Sequence, residues 1–284
     1  MKILEIDLTD KNELINFLNK NSLVPSKRFG QNFLISTNAL KKIILSANIS
    51  EKDTIIEIGP GIGTLTKELI KTAKKVISLE LDKKILSIIK PEFESVKNLE
   101  IIETDALKFT PAENSNYKIV ANIPYYISSP ILNHFLGQKN KPLSMTLLTQ
   151  KEVAQKICDK KNESILSLEV KIFGRPKIVD TVKNTAFFPA PKVDSAILHI
   201  ETFKPGEKDF IENQIAKKIM NLAKIGFSQK RKILLNTISK CLRINREDLK
   251  TIFIKLKIPE KSRPQNLEIS DWNNLVIEME KIKN

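Results

Sequence analysis

Short apolar runs alternate with segments of helical periodicity through the first two-thirds of the chain. The apolar runs predict strands at Thr54–Ile58, Val76–Glu80, Leu99–Glu103, Lys118–Asn122, Ser144–Thr149, Ser167–Phe173 and Val193–Glu201. The helical patterns between them cover residues 64–73, 82–90, 129–137 and 151–160. Apolar strands that are separated by helices indicate a mainly parallel sheet with helices on both faces. No long helical pattern separates the last two predicted strands, so we expect that edge of the sheet to be antiparallel.

Both ends of the chain have helical patterns. Leu14 and Leu18 lie on one side of a short predicted helix that ends before Pro25, and Leu40 and Ile43 belong to a second one. The segment Lys204-Pro205-Gly206 is typical of a linker. The residues after it predict helices at about 208–225, 229–241, 246–256 and 270–282. We therefore predict two domains: residues 1–204, with an N-terminal helical extension, and a small all-helical domain of residues 205–284.

The composition is that of a soluble globular protein with an excess of positive charge. Hydrophobic residues make up 41% and charged residues 28%, and no apolar run approaches the ~20 residues that span a bilayer. The N-terminus lacks the pattern of a secretory signal, so we expect a cytoplasmic protein. A net charge of +14 attracts polyanions such as nucleic acid, although a Lys-, Ile- and Asn-rich composition can also arise without any such function.

The cysteines and histidines do not indicate a metal centre. Cys158 and Cys241 are far from each other and from His134 and His199 in the sequence. This spacing excludes a disulfide framework and argues against zinc, whose ligands come in closely spaced clusters. We expect neither a metal nor a membrane partner, and because nothing in the sequence requires a dimer, we expect a monomer.

A glycine-rich loop follows the first predicted strand and precedes a predicted helix. The loop contains Gly59, Gly61 and Gly63 in the pattern G-x-G-x-G, with Thr64 where a dinucleotide-binding loop would have its third glycine. Glycines allow a ligand to approach the backbone at such a turn. Glu57 lies just ahead of the loop, where its carboxylate would repel a pyrophosphate but suits the cationic methionine moiety of S-adenosylmethionine. The pattern therefore favours S-adenosylmethionine over NAD.

Acidic residues end the next two predicted strands. Glu80 ends the second strand, where a carboxylate can accept hydrogen bonds from both ribose hydroxyls, although Glu is also common at solvated strand ends. Asp105 follows the third strand and can accept from an adenine amine, with the small Ala106 leaving room for the ring. In isolation, Asp105 would more often be a turn or helix-capping residue.

The fourth predicted strand ends in Asn122-Ile123-Pro124-Tyr125, the most specific signal in the chain. The exocyclic amine of adenine is a poor nucleophile because its lone pair is delocalised into the ring. If Asn122 Oδ1 and the backbone carbonyl of Ile123 or Pro124 accept its two hydrogens, the nitrogen can become pyramidal and attack a methyl group. Pro124 would fix the backbone for this purpose, and Tyr125 would stack against the base.

The chain resembles the ribosomal RNA adenine dimethyltransferase family of the KsgA type over nearly its whole length. The resemblance rests on residues 28–34, 57–63, 80–82, 105–107, 122–125, 150–154 and 187–196. It implies a Rossmann-like class I methyltransferase fold and cofactor contacts from Asn32, Leu34, Gly59, Glu80, Asp105 and Asn122. It also implies that Asn122, Pro124 and Tyr125 surround the target amine, and that Phe187 is a second aromatic against the base. From the residues alone, Phe187 and Phe188 would be interpreted as core residues.

The resemblance further implies the substrate. Members of the family dimethylate two adjacent adenosines in the hairpin near the 3′ end of small-subunit (16S) rRNA, so we expect small-subunit rRNA in an immature 30S subunit to be the partner. Residues 205–284 carry 17 Lys and Arg against 10 Asp and Glu, and we expect these helices to help dock the RNA. Their basic stretch, Gln229–Lys232, fits either an RNA contact or a solvated helix face equally well. Lys230 and Gln265 depart from the family pattern at their positions.

Three alternatives remain open at this point. Erythromycin-resistance methyltransferases carry very similar motifs and modify large-subunit rRNA, but the chain length and the Arg263–Leu267 segment favour the small-subunit enzyme. A non-catalytic RNA-binding assembly factor could keep the same fold, although the intact Asn122, Pro124 and Tyr125 argue against lost activity. A small-molecule methyltransferase would give no purpose to the basic charge and the helical domain.

Overall fold

The computed structural model describes residues 3–283, with side chains described as far as Lys281. The chain forms two compact units. One comprises the described residues up to Ala154 together with Pro176–Thr202, and the other comprises Gln155–Arg175 together with the described residues from Phe203 onward. The predicted division after residue 204 lies close to Phe203, where the chain passes from the first unit to the second for the last time. Residues 155–175 lie in the predicted first domain but belong to the second unit of the structure.

A seven-stranded sheet organises the first unit. The strands in the described residues are β1 (Phe33–Leu34), β2 (Thr54–Ile58), β3 (Lys75–Glu80), β4 (Leu99–Glu103), β5 (Tyr117–Asn122), β6 (Ser144–Gln150), β7 (Gly174–Val182), β8 (Phe187–Phe188) and β9 (Ser195–Thr202). The sheet order is β4-β3-β2-β5-β6-β9-β7, and β1 pairs with β8 in a separate antiparallel pair. The neighbours from β4 to β6 are parallel, whereas β9 is antiparallel to β6.

The strand order reverses at β2. The chain moves outward through β3 and β4 and then returns to β5 on the other side of β2. In open sheets of this kind, ligands bind beyond the carboxyl ends of the strands at the point of reversal. The topology therefore places the expected site between the ends of β2 and β5.

Both faces of the central strands are buried. Successive side chains of a strand point to opposite faces, and Ile55 and Ile56 of β2, like Ile119 and Val120 of β5, are each at most 2% exposed. One face packs against two helices, which contribute Leu40 and Leu69 to the same core cluster. The helices that begin before β7 are α1 (Lys11–Lys20), α2 (Thr37–Ala47), α3 (Thr64–Thr72), α4 (Lys83–Glu92), α5 (Ser128–Gly137), α6 (Lys151–Cys158) and α7 (Ile165–Phe173).

Polar side chains fix where several of these helices begin. Asp10, Ser36, Asp82 and Ser164 precede α1, α2, α4 and α7, and each side chain accepts a hydrogen bond from a backbone N–H of the first turn. Such a cap stabilises a helix by roughly 1 kcal/mol, because the first N–H groups have no partner within the helix.

The second unit has its own hydrophobic core. Its remaining helices are α8 (Asn213–Phe227), α9 (Leu234–Leu242), α10 (Arg246–Lys255) and α11 (Ile269–Lys283). Trp272 is fully buried at their centre, and Leu168 of α7 belongs to the same core. Gly226 permits the close packing, because a Cβ at this position would lie 2.6 Å from Leu234 Cδ1 and 2.8 Å from Trp272 Cη2. No helix in the described chain has the length and apolar character to cross a membrane.

Most of the predicted elements are present, but the helices predicted from residues 208 and 229 begin only at Asn213 and Leu234, and one predicted strand at an edge of the sheet is wrong. The strands Thr54–Ile58 and Leu99–Glu103 have the predicted bounds, and the predicted antiparallel edge is present. The predicted strand Ser167–Phe173 is wrong, because these residues form most of α7, and the edge strand is β7 instead. Ser164 and Ser167 form a capping box that starts a helix there. The first helix also ends at Lys20 rather than at Pro25.

Candidate active site

A cavity of about 360 Å³ opens at the carboxyl ends of the parallel strands in the first unit. This volume is within the range of small-molecule sites. The cavity is lined by all of the predicted cofactor residues, Asn32, Leu34, Gly59, Gly61, Glu80, Asp105, Ala106 and Asn122, and by the predicted catalytic residues Pro124 and Tyr125. The structure therefore brings together residues from five separate parts of the sequence.

The conformation of the glycine loop depends on the three positions that have no side chain. Gly59, Gly61 and Gly63 have φ values of +66°, +55° and +89°, which residues with a side chain rarely adopt. A Cβ at Gly63 would lie 2.7 Å from the ring of Phe93, and one at Gly61 would lie 3.3 Å from the ring of Phe33. The loop backbone is thereby exposed to a ligand at the start of α3, whose N-terminus has no side-chain cap.

Glu57 is a buried carboxyl group that is only half satisfied. Its Oε2 accepts hydrogen bonds from Thr66 Oγ1 at 2.8 Å and Ser78 Oγ at 2.6 Å, whereas the buried Oε1 has no partner in the described part of the chain. Burial raises the pKa of Glu57 to about 7, although the two hydroxyl groups oppose this shift. A buried acceptor without a partner, at the wall of a cavity, is suited to a donor or a cation from a bound ligand.

Glu80 is held by backbone N–H groups at the end of β3. Its Oε1 accepts hydrogen bonds from the N–H groups of Leu81 and Asp82, both at 2.8 Å. Burial raises the pKa of Glu80, and these backbone hydrogen bonds partly oppose the effect. Gln31 Nε2 donates to Asp82 Oδ2 at 2.7 Å, so the N-terminal loop is tied to the same corner of the cavity.

Asp105 is both a turn residue and a cavity residue. Its Oδ1 accepts from the N–H of Leu107 at 2.9 Å, which is the local role that such a residue often has. The side chain nevertheless lines the cavity beside the buried Ala106. The two interpretations of Asp105 from the sequence are therefore compatible.

Hydrogen bonds fix the orientation of Asn122 at the end of β5. Its Nδ2 donates to the backbone carbonyl of Asn32 at 3.2 Å, which leaves Oδ1 as the acceptor that a ligand can use. The carbonyl of Pro124 already accepts from the N–H of Ile127 at 3.1 Å. Of the two carbonyls considered from the sequence, that of Ile123 is therefore the less committed one.

Tyr125 forms a fixed aromatic wall of the cavity. Its hydroxyl lies 2.6 Å from Ser195 Oγ at the start of β9, and this hydrogen bond holds the ring in place. Burial raises the pKa of Tyr125 above its ordinary value, so the phenol stays protonated at neutral pH. The arrangement suits stacking and does not suit proton abstraction.

Phe187 is not placed in the cavity, contrary to the prediction that it stacks against the base. Its side chain is 3% exposed and belongs to the core cluster that contains Leu34 and Ile197, and its backbone pairs with Leu34 in the β1–β8 pair. The physical reason is that burying the ring removes a large apolar surface from water. Phe187 therefore lies in the core next to Leu34, and it is Leu34 that lines the cavity.

Aromatic residues at the cavity mouth were missed from the sequence. Tyr126 and Phe29 both line the cavity, and Tyr126 is 61% exposed. Phe29 lies in the segment 28–34 and Tyr126 directly follows the segment 122–125, but the sequence of these segments does not indicate which side chains are exposed. Ser195 lies in the segment 187–196, but the sequence does not indicate its hydrogen bond to Tyr125.

Comparisons with known proteins match this chain over most of its length. The family model described as ribosomal RNA adenine dimethylase matches residues 25–281. A relative from Dehalococcoides mccartyi, named ribosomal RNA small subunit methyltransferase A, is 38% identical over 262 residues, which cover 90% of this chain and 89% of the relative. The crystal structure of a dimethyladenosine transferase from Plasmodium falciparum has a TM-score of 0.76 at 30% identity, with 87% of this chain and 97% of that chain covered.

A second solved structure shares the fold. The 23S rRNA methyltransferase ErmE has a TM-score of 0.71 at 24% identity, with 88% of this chain and 100% of that chain covered. The methyltransferase fold that the sequence predicted is thus confirmed. On the match of the family model and the identity to a curated relative, this chain belongs to the ribosomal RNA adenine dimethylase family.

Proposed function

We propose that this protein transfers methyl groups from S-adenosylmethionine to the N6 amines of two adjacent adenosines in the hairpin near the 3′ end of small-subunit rRNA. Family membership supports the reaction, and the name of the Dehalococcoides relative supports the small subunit. The observation that carries the proposal is the orientation of Asn122, whose Nδ2 is engaged and whose Oδ1 is available at the cavity.

The chemistry of the residues that line the cavity supports the proposed cofactor. The Oε1 of Glu57, which has no partner in the described chain, would receive the cationic methionine moiety. Glu80 would accept hydrogen bonds from the ribose hydroxyls, and Asp105 would accept one from the adenine amine, with Ala106 leaving room for the ring. S-adenosylmethionine, when bound, supplies an electrophilic methyl group on its sulfonium sulfur. The remaining contacts are assigned to Asn32, Leu34, Gly59, Gly61 and Asn122.

The target amine would be activated by acceptors alone. Asn122 Oδ1 and the carbonyl of Ile123 would accept its two hydrogens, so that the nitrogen lone pair leaves conjugation with the ring and points at the methyl group. Pro124 fixes the backbone between Ile123 and the turn that follows. No proton has to be removed before the attack, so this role needs no basic side chain; the surplus proton leaves the methylated nitrogen afterwards, to water. Orientation at close range then provides most of the acceleration.

Tyr125 would hold the flipped adenine by stacking. Leaving the RNA stack costs a few kcal/mol unless the base is already unpaired, and a stacking surface offsets ~1–3 kcal/mol of this. The ring is suited to this role because the Ser195 hydrogen bond fixes it. An adenosine in a hairpin loop lowers the cost further.

The second unit offers a basic surface for docking the RNA. A cavity of about 260 Å³ is lined by Gln229, Arg231, Lys232, Ile233, Asn236, Thr237 and Lys240. It surrounds the start of α9, whose N-terminus has no side-chain cap, and it brings three cations, Arg231, Lys232 and Lys240, close to the positive end of the helix dipole. This favours the RNA-contact interpretation of residues 229–232. We assign the catalytic role to the first unit, and we expect a cytoplasmic monomer that acts on immature small subunits.

The test compares wild-type protein with Asn122→Ala on immature small subunits from a strain that lacks the enzyme. We expect methyl transfer from labelled S-adenosylmethionine to fall about 100-fold or more, by analogy with the loss of one preorganised hydrogen-bonding group in other enzymes. Subunit binding should be retained. Asn133→Ala, at an exposed position of α5, is the matched control and should transfer methyl groups like wild type. Undiminished transfer by Asn122→Ala would refute the proposed role of Asn122.

Primer extension on both rRNAs from the deletion strain tests the choice of subunit. The proposal predicts that the methylation-dependent stop disappears from small-subunit rRNA. A stop that is lost only from large-subunit rRNA would overturn it.

A further inference from the structure

An exposed aromatic ring at the mouth of the cavity has no role in the reaction described above. Tyr126 is 61% exposed although it lines the cavity, and its hydroxyl makes no hydrogen bond to the described residues. Its neighbour Tyr125 is half-buried and anchored to Ser195. An exposed tyrosine beside a binding site is more costly to leave in water than a polar residue, and such rings are enriched where ligands are bound.

The backbone of the N-terminal loop supports one side of this ring. Gly30 has a φ of +59°, and a Cβ at this position would lie 3.4 Å from Tyr126 Cε1 and 3.2 Å from Pro124 Cβ. The glycine therefore allows the loop to come close to the ring, which limits the directions that the side chain can take. A ring that is held before binding loses less conformational entropy when a ligand stacks on it.

Tyr125 and Tyr126 cannot serve the same base. Both belong to the 3-10 turn Tyr125–Ile127, in which successive side chains point about 120° apart. The first ring faces into the cavity and is fixed by its hydroxyl, whereas the second is at the surface. Two consecutive aromatic residues thus offer two stacking surfaces, one inside the site and one outside it.

Cationic groups lie on the N-terminal loop that contains Gly30. The guanidinium carbon of Arg28 is 5.7 Å from the centre of the Phe29 ring, which also lines the cavity, and both Lys27 and Arg28 are exposed. Exposed cations combined with aromatic rings are the usual means of binding single-stranded nucleic acid, because cations attract the phosphates and rings accept any base.

We infer that Tyr126 is a stacking platform for a nucleotide directly beside the target adenosine, with Arg28 near the phosphate backbone. The inference rests on the proposed function and adds a second base-binding position to it. Stacking tolerates any base, so this position holds the strand in place after the target has been flipped and does not select the sequence.

The test uses small subunits reconstituted with rRNA whose 3′ hairpin is synthetic, so that an abasic nucleotide can be placed on either side of the target adenosine. Binding of full-length protein is measured with Tyr126→Ala and Tyr126→Phe, and Leu45→Ala serves as the control because Leu45 is 78% exposed and does not line the cavity. We expect Tyr126→Ala to weaken binding roughly 5- to 150-fold, the effect of losing one stacked base. Tyr126→Phe keeps the ring and should retain most of the affinity, and Leu45→Ala should bind like wild type.

The abasic substrates test whether the ring and the neighbouring base interact. At one flanking position, removing the base should weaken wild-type binding by a similar factor and should weaken Tyr126→Ala by no more than about twofold, since the two changes remove the same contact. The inference would be overturned if the losses from Tyr126→Ala and from the missing base were additive at both flanking positions, or if Tyr126→Ala bound like wild type. In either case, methylation by the wild-type protein would still support the proposed function. A wild-type protein that transfers no methyl group to unmodified subunits would instead overturn the proposed function, and the platform with it.

Discussion

Replacing Glu57 by Gln should change how the stability of the protein depends on pH. Gln has nearly the same shape as Glu and can still accept hydrogen bonds from Thr66 and Ser78, but it cannot ionise. In the wild type, burial raises the pKa of this carboxyl group from 4.5 to about 7. Because the folded state holds the proton more tightly than the unfolded state, the wild type loses stability as the pH rises from about 4.5 to 7.

The size of the effect follows from this shift. One pKa unit corresponds to about 1.4 kcal/mol, and most of the titration lies between pH 5 and pH 8. Over that interval, Glu57 should lower the free energy of unfolding of the wild type by roughly 2–3 kcal/mol. The Gln variant lacks this contribution, whereas every other titrating group is common to both proteins.

Urea unfolding of the two proteins at pH 5, 6, 7 and 8, without cofactor, measures the difference directly. We expect the free energy of unfolding of the variant, minus that of the wild type, to increase by roughly 2–3 kcal/mol from pH 5 to pH 8. Glu51→Gln, at an exposed position, controls for the loss of a carboxylate. A difference for Glu57→Gln that stays constant with pH would refute the reasoning about this buried group.

Two further predictions concern Phe187 and the basic cavity. Phe187→Ala should lower the free energy of unfolding by about 3–5 kcal/mol, as core substitutions of this kind do. Phe187→Leu should keep methyl transfer close to the wild-type rate. A folded Phe187→Leu protein that has lost methyl transfer would show instead that this ring contacts the base. Arg231→Ala should reduce the salt dependence of RNA binding, measured by filter binding, by about one phosphate contact. Lys217→Ala, on the exposed side of α8, is the control. An unchanged salt dependence for Arg231→Ala would contradict the docking role.

The fold was predictable wherever the local pattern and the tertiary structure agree. The strand Thr54–Ile58 was predicted with its observed bounds because an apolar run ends at glycines that cannot continue it. The segment 167–173 was mistaken for a strand because a short apolar run is compatible with either structure. Its Leu168 and Ile172 are four residues apart, which suits one helical face, and the serines that cap the helix decide between the two.

The cofactor side of the site was predictable because each residue follows a strand at the same edge of the sheet. Asn122, Glu80 and Asp105 are brought together by the parallel order of β5, β3 and β4. The aromatic residues were not predictable, because the sequence does not state which face of a turn is buried. Phe187 entered the core, and Tyr126 stayed at the surface.

The most direct test of the central claim is mass spectrometry of rRNA nucleosides after the purified protein has acted on immature small subunits with a methyl donor that carries a deuterated methyl group. The account predicts N6,N6-dimethyladenosine with two deuterated methyl groups, located in the 3′-terminal fragment of small-subunit rRNA. Label on a ribose hydroxyl, on a ring carbon of another base, or on no nucleoside at all would contradict the assignment of Asn122 and Ile123 as acceptors for an adenine amine.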